Sequence, residues 1–153
     1  MIKKTAFLLV LTVFVLGYVY AEKALTQDDA KALVKEAAAF LNEKGYDAAL
    51  KEIGNLKGKF VKGELYVFAY DLEGKMIANP QKPDLVGKNL LNEPDSKGKL
   101  FRKEIIEIAK TKGEGWVDYT YANPKTGKEE EKTTYVLKAG DIVLCCGIYK
   151  SEK

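Results

Sequence analysis

Glu64-Leu-Tyr-Val-Phe-Ala-Tyr70, then Asp71-Leu-Glu-Gly74, then Lys75-Met-Ile-Ala78 is the stretch that decides the fold. The first segment is aromatic and β-branched, the composition of a strand. Asp71 to Gly74 is a turn, with Gly placed where a positive φ is needed. Lys75–Ala78 returns as a second strand, so the segment is a hairpin. Side chains alternate along a strand, so Tyr66, Phe68 and Tyr70 share one face.

Upstream the pattern is helical. Thr26 can cap a first turn whose positive dipole end suits Asp28 and Asp29. Apolar residues then recur at Ala30, Leu33, Val34, Ala37, Ala38 and Leu41. Gly45 interrupts this run, and a shorter one from Tyr46 through Ala49, Leu50 and Ile53 stops at Gly54. The expectation is one long bent helix, or two packed end to end.

Downstream, residues 79–98 carry three of the four prolines, several Gly and Asn, and little periodicity. They read as a long loop, and long loops in small domains are usually functional. Lys99 to Lys112 is helical again, with Leu100, Ile105, Ile108 and Ala109 as its expected buried stripe. Three strands follow, at Gly115–Ala122, Lys132–Lys138 and Asp141–Tyr149. The order α-α-β-β-loop-α-β-β-β predicts an α+β domain. It pairs a five-stranded antiparallel sheet with helices segregated to one face.

Composition removes whole classes of function. The 153 residues suffice for one domain, and His is absent. Imidazole bases, His-containing triads and His metal ligands are therefore excluded. Ser, Thr and Cys have no His to activate them, and no pair of carboxylates is spaced for acid–base work, so no enzyme is expected. Lys and Arg total 25, with Arg102 the only Arg, against 22 Asp and Glu.

The amino terminus reads as a secretory signal. Lys3 and Lys4 precede an apolar run from Ala6 to Tyr20, which closes on Val19-Tyr20-Ala21. Cleavage after Ala21 leaves residues 22–153 as the domain and takes the net charge from +3 to +1, since Lys3 and Lys4 leave without an acid. A nearly neutral domain has no electrostatic footprint for nucleic acid. The destination is the periplasm or the exterior; an uncleaved segment would instead tether the domain to a membrane. Cys145 and Cys146 are adjacent, so on a strand their sulfurs face opposite ways. They read as buried packing, with a strained vicinal or mixed disulfide as the alternative. Without His or further Cys, no metal or other cofactor is expected.

The same residues resemble single Cache domains, specifically the second single-Cache subfamily of extracytoplasmic, PAS-like sensor modules. The resemblance rests on Asp71-Leu-Glu-Gly74, Asn79-Pro80, Leu85-Val-Gly-Lys-Asn-Leu90 and Gly98-Lys-Leu-Phe101. It continues through Gly115-Trp-Val-Asp-Tyr119, Pro124, Lys132-Thr-Thr-Tyr135 and Gly147-Ile-Tyr149. It runs from about Ala30 to Tyr149. This chain departs from the family pattern at Asn79, Tyr121 and Cys145-Cys146. The resemblance implies a pocket for a small organic acid between the sheet and the loop with its helix, and makes Lys132 a carboxylate binder.

An ammonium has three donors and a full charge, and a desolvated setting strengthens its bonds to a carboxylate. Lys132 starts the strand expected opposite Tyr119 and Tyr121; its bland alternative is a solvated Lys paired with Glu129, Glu130 or Glu131. The expected ligand-binding set is Lys132, Tyr119, Tyr121, Trp116, Phe68, Tyr70 and Asn79. Trp116 faces away from Tyr119, as packing or pocket rim. The expected function is small-molecule sensing for chemotaxis-like signal transduction. Because no apolar span or output region follows Tyr149, a partner such as a membrane receptor or kinase is implied. The rival is a structural or interaction domain with a degenerate pocket.

Overall fold

A computed structural model describes residues 24–150; the signal segment expected at residues 1–21 lies outside the described residues. Helix α1 spans Gln27–Lys44 behind a capping box. Thr26 Oγ1 accepts from the Asp29 N–H at 3.2 Å, and Asp29 Oδ2 accepts from the Thr26 N–H at 2.9 Å. Gly45, at φ 83°, ends α1 in a conformation that L side chains avoid, and α2 (Tyr46–Ile53) starts immediately after it. The two-helix alternative is therefore the one realised.

Strands β1 (Val61–Lys62), β2 (Leu65–Asp71) and β3 (Met76–Ala78) precede a 3-10 turn at Pro83–Leu85 and helix α3 (Phe101–Thr111). Strands β4 (Glu114–Ala122), β5 (Glu129–Ala139) and β6 (Ile142–Tyr149) close the domain. The sheet is antiparallel in the order β1-β2-β6-β5-β4, with β3 also on β2. The expected α+β architecture is present. It has six strands rather than five, because β1 is too short to show any alternation.

The helices are not segregated to one face. Leu65 through Tyr70 and Ile142 through Gly147 are buried without interruption, so both faces of the central strands need cover. On one face α1 and α2 place Leu33, Val34, Ala37 and Ile53 against Val67, Tyr135, Leu144 and Cys146. On the other, α3 and the 79–98 loop bring Leu90, Phe101, Ile105 and Ala109 against Phe68, Val117, Tyr119 and Val136. The buried stripe of α3 is Phe101, Arg102, Ile105, Ile106 and Ala109; Leu100 precedes the helix and is exposed.

The adjacent cysteines follow the strand rule. Cys145 belongs to the α3 face and Cys146 to the α1 face, and both are free thiols. Burial pushes the Cys145 thiol up and the Cys146 thiol up to about 12, so both stay protonated and inert. Among the described residues no helix is long and apolar enough to cross a membrane.

Candidate functional site

Lys132 lies in the middle of the sheet. On β5 it is flanked by Tyr119 of β4 and Tyr149 of β6. It is 1% exposed, so its ammonium has left water almost completely. Its Nζ donates to Tyr66 Oη at 2.9 Å and Tyr149 Oη at 3.4 Å. The rings of Tyr66, Phe68, Tyr121 and Tyr149 surround it, with centroids 4.4–5.5 Å away. Cation–π attraction and two neutral acceptors offset part of the desolvation cost.

No carboxylate of the described residues forms an ion pair with this ammonium. The three preceding acids are engaged elsewhere. Glu129 accepts from Ser96, Glu130 from Asn123 and Thr126, and Glu131 pairs with Lys97 and Lys150. The solvated-strand alternative for Lys132 is therefore not what the fold builds.

The expected site residues largely converge. Lys132, Tyr119, Tyr121, Phe68, Tyr70 and Asn79 line one small cavity, together with Tyr66, Met76 and Phe101. Tyr66, Phe68 and Tyr70 form a row with centroids 5.9 and 5.8 Å apart. Tyr119 is mainly a packing residue. Its ring stacks on Phe101 at 3.9 Å, and its hydroxyl pairs with Thr134 Oγ1 at 2.9 Å. Asn79 is 4% exposed. Its Oδ1 accepts from the backbone N–H groups of Gln81 and Lys82, both at 3.0 Å, which fixes the amide orientation. Its NH2 group is left with only the Met76 thioether, at 3.8 Å.

Trp116 does not belong to this cavity. It lies on the opposite face of β4, where its ring packs on Tyr135 at 5.3 Å within the α1 layer. Strand alternation from Tyr119 requires this placement.

Two residues were not singled out from sequence. Arg102 is buried on α3, with Nε on Tyr70 Oη at 3.3 Å and a terminal nitrogen on the Glu93 carbonyl at 3.1 Å. Its sequence signal was available: the only Arg stands in the first turn of a helix, where the dipole disfavours a cation. Gly147, opposite Thr134 in the β5–β6 pairing, makes room for Lys132. A Cβ there would sit 2.5 Å from Lys132 Cε and 2.3 Å from Thr134 Oγ1. The aliphatic stem of Lys132 crosses the strand only because Gly147 has no side chain.

A wider groove of about 1040 Å³ opens nearby, lined by Leu25, Leu56, Leu65, Asn123, Pro124 and Tyr149 among others. Its size is greater, but its chemistry is closed. Lys62 pairs with Glu36, Lys125 with Glu64, and Asn123 bonds Glu130 and the Lys125 N–H. The unpaired buried charge is in the smaller cavity, and that decides which is the candidate site.

Comparisons with known proteins bear on the family and the fold. The Cache domain family profile matches residues 22–151. A solved structure described as a Cache chemosensory domain recognising carboxylic acids is similar at 27% identity and a TM-score of 0.72. That match covers 81% of this chain and 92% of that one. A periplasmic sensor domain of a chemotaxis protein is similar at 26% identity and a TM-score of 0.65, covering 81% and 90%. A methyl-accepting chemotaxis protein from Vibrio parahaemolyticus RIMD 2210633 matches at 25% identity and 0.67, covering 80% and 86%. Two of these relatives are described as sensory domains and the third as a chemotaxis protein. With its one PAS-like layered sheet and a profile match that spans every described residue, the chain belongs to the Cache domain family.

Proposed function

We propose that this protein is an exported sensor domain that binds a short organic acid through its carboxylate at Lys132. The observation that carries this reading is the 1%-exposed ammonium with no carboxylate partner among the described residues. A buried unpaired charge is costly, and a ligand carboxylate would supply the missing counter-ion. The Asn79 NH2 group adds a second under-used donor on the same cavity. Support also comes from the similar Cache domain described as recognising carboxylic acids. Export is supported by the Lys3-Lys4 start, the apolar run and the Val19-Tyr20-Ala21 ending, with residues 22–153 as the mature domain. The occupied state is then passed to a membrane receptor or kinase partner, as the kinship with chemotaxis sensor domains implies.

One observation favours a second reading, a degenerate pocket on an interaction domain. The cavity measures about 10 Å³, room for roughly one water. Under the binding reading, the 79–98 loop shifts outward to admit the acid. A thermal-shift screen of acetate, pyruvate and longer acids against the full chain separates the two. Specific binding raises the melting temperature by mass action, by about 2.7 kcal/mol of stability at a hundredfold excess over Kd. Binding predicts a concentration-dependent rise for acids and none for the matching amides. Identical curves with every acid would leave the degenerate pocket as the account.

A further inference from the structure

Five large apolar side chains are exposed among the described residues, and two of them, Leu25 at 41% and Leu56 at 53%, line the same wide groove. Singly exposed leucines are ordinary, but two on one groove make a patch that asks for a partner. Leu56 sits in the loop Asn55-Leu56-Lys57-Gly58-Lys59 between α2 and β1. That loop is fixed by its own bonds. The Lys57 N–H donates to Asn55 Oδ1 at 3.0 Å, and the Lys59 N–H to Glu52 Oε1 at 2.8 Å. Neither Lys57 nor Lys59 forms an ion pair among the described residues, and Lys59 Nζ lies 3.5 Å from the Phe40 ring centroid. The patch thus combines apolar tips with positive charge that no carboxylate ties down.

We propose that this end of the domain docks on a lipid surface, with Leu25 and Leu56 entering the acyl boundary while Lys57 and Lys59 meet anionic headgroups. This goes beyond the carboxylate reading and does not depend on it. Two observations choose a membrane over a protein partner. The first is position. Ala24 and Leu25 line the groove, and Ala24 is the third residue after the Val19-Tyr20-Ala21 ending of the apolar leader. Three residues span at most ~11 Å, so the groove lies beside the point where a membrane-seeking segment joins the domain. The second is chemistry. Apolar tips flanked by lysine suit an anionic bilayer surface, where acyl contact and attraction to phosphate add. A charged protein partner would instead find the groove's own Lys62 and Lys125 already held by Glu36 and Glu64. Docked in this way, the domain stays beside membrane-bound partners after the leader is removed.

Vesicle flotation of the protein recovered from the cell envelope tests this, with phosphatidylcholine alone and with phosphatidylglycerol added. Wild type should bind the anionic vesicles, let go at high salt, and bind the neutral ones more weakly. Leu25→Asp combined with Leu56→Asp should lose roughly tenfold or more in affinity, since two apolar contacts go and two negative charges arrive. Lys57→Glu should remove the preference for the anionic vesicles. All three side chains are exposed, so the urea midpoint of each variant should match wild type. A dye attached through Leu56→Cys reads insertion directly, because the native Cys145 and Cys146 are buried. Its emission should move to the blue with anionic vesicles; an unmoved spectrum would overturn the proposal. So would binding that the double variant keeps in full, with residues 1–21 attached or removed. Failure of wild type to bind either vesicle would also overturn it, and a wild-type dimer lost in the same variant would then assign the groove to a second copy.

Discussion

Lys132 is stored at a cost to the fold. Its ammonium is buried among rings, and no acid of the described residues repays its desolvation. Lys132→Met keeps the length and the apolar bulk while deleting the charge. Tyr66 and Tyr149 lose a donor, and Tyr149 still donates to the Ala122 carbonyl at 3.0 Å. The ligand-free variant should therefore be more stable than wild type, by ~1 kcal/mol or more, read as a rise in urea midpoint with unchanged slope. A drop in midpoint would mean that the rings and hydroxyls fully compensate the charge. Gly147→Ala should be harmful for a complementary reason, because the added methyl meets Lys132 Cε at 2.5 Å. Overpacking of this kind costs ~1–3 kcal/mol. Part of that cost should vanish when Lys132 is also shortened to Ala, so a double-mutant cycle reports the contact; strict additivity would deny it.

At the scale of elements, the 79–98 loop is held to the sheet by Asp95. Its Oδ1 accepts from the Lys97 and Lys99 N–H groups at 3.0 and 2.8 Å, and its Oδ2 from the Thr120 N–H of edge strand β4 at 2.9 Å. Partial burial pushes the carboxyl up, but the bonds from Thr120, Lys99 and Lys97 outweigh it and hold Asp95 below its ordinary value. A carboxyl lowered by folding stabilises above its unfolded pKa, and that contribution is lost as pH falls through the folded value. Wild type should thus lose loop protection in hydrogen exchange on acidification, and Asp95→Asn should show a weaker pH dependence. Equal pH profiles would remove Asp95 from this role. The elements themselves were largely legible in the sequence. Thr26, Gly45, Gly74 and the alternation of β2 are local signals, and each marks what the fold contains. The layer on which α3 sits was not legible. Its placement follows from unbroken burial of β2 and β6, and a short apolar run does not say which helix covers which side. The lone Arg102 at a helix start was visible, but its partners were not, since Tyr70 and Glu93 are distant in sequence from one another.

For the whole molecule, the two faces of the sheet divide the work. The α1–α2 face is an apolar layer with Val34, Ala37 and Ile53 fully buried. The α3 face holds both buried cations, the aromatic row and the loop anchored by Asp95, so the proposed binding site lies there. The central claim is that the Lys132 ammonium receives a ligand carboxylate. Titration calorimetry of wild type and Lys132→Met with the best-binding short acid tests it most directly. Hydrogen bonds to a charged group contribute ~1.5–3 kcal/mol each, so the variant should bind roughly tenfold to a hundredfold more weakly. Equal affinity of the two proteins for the acid would contradict the account and put the anion site elsewhere.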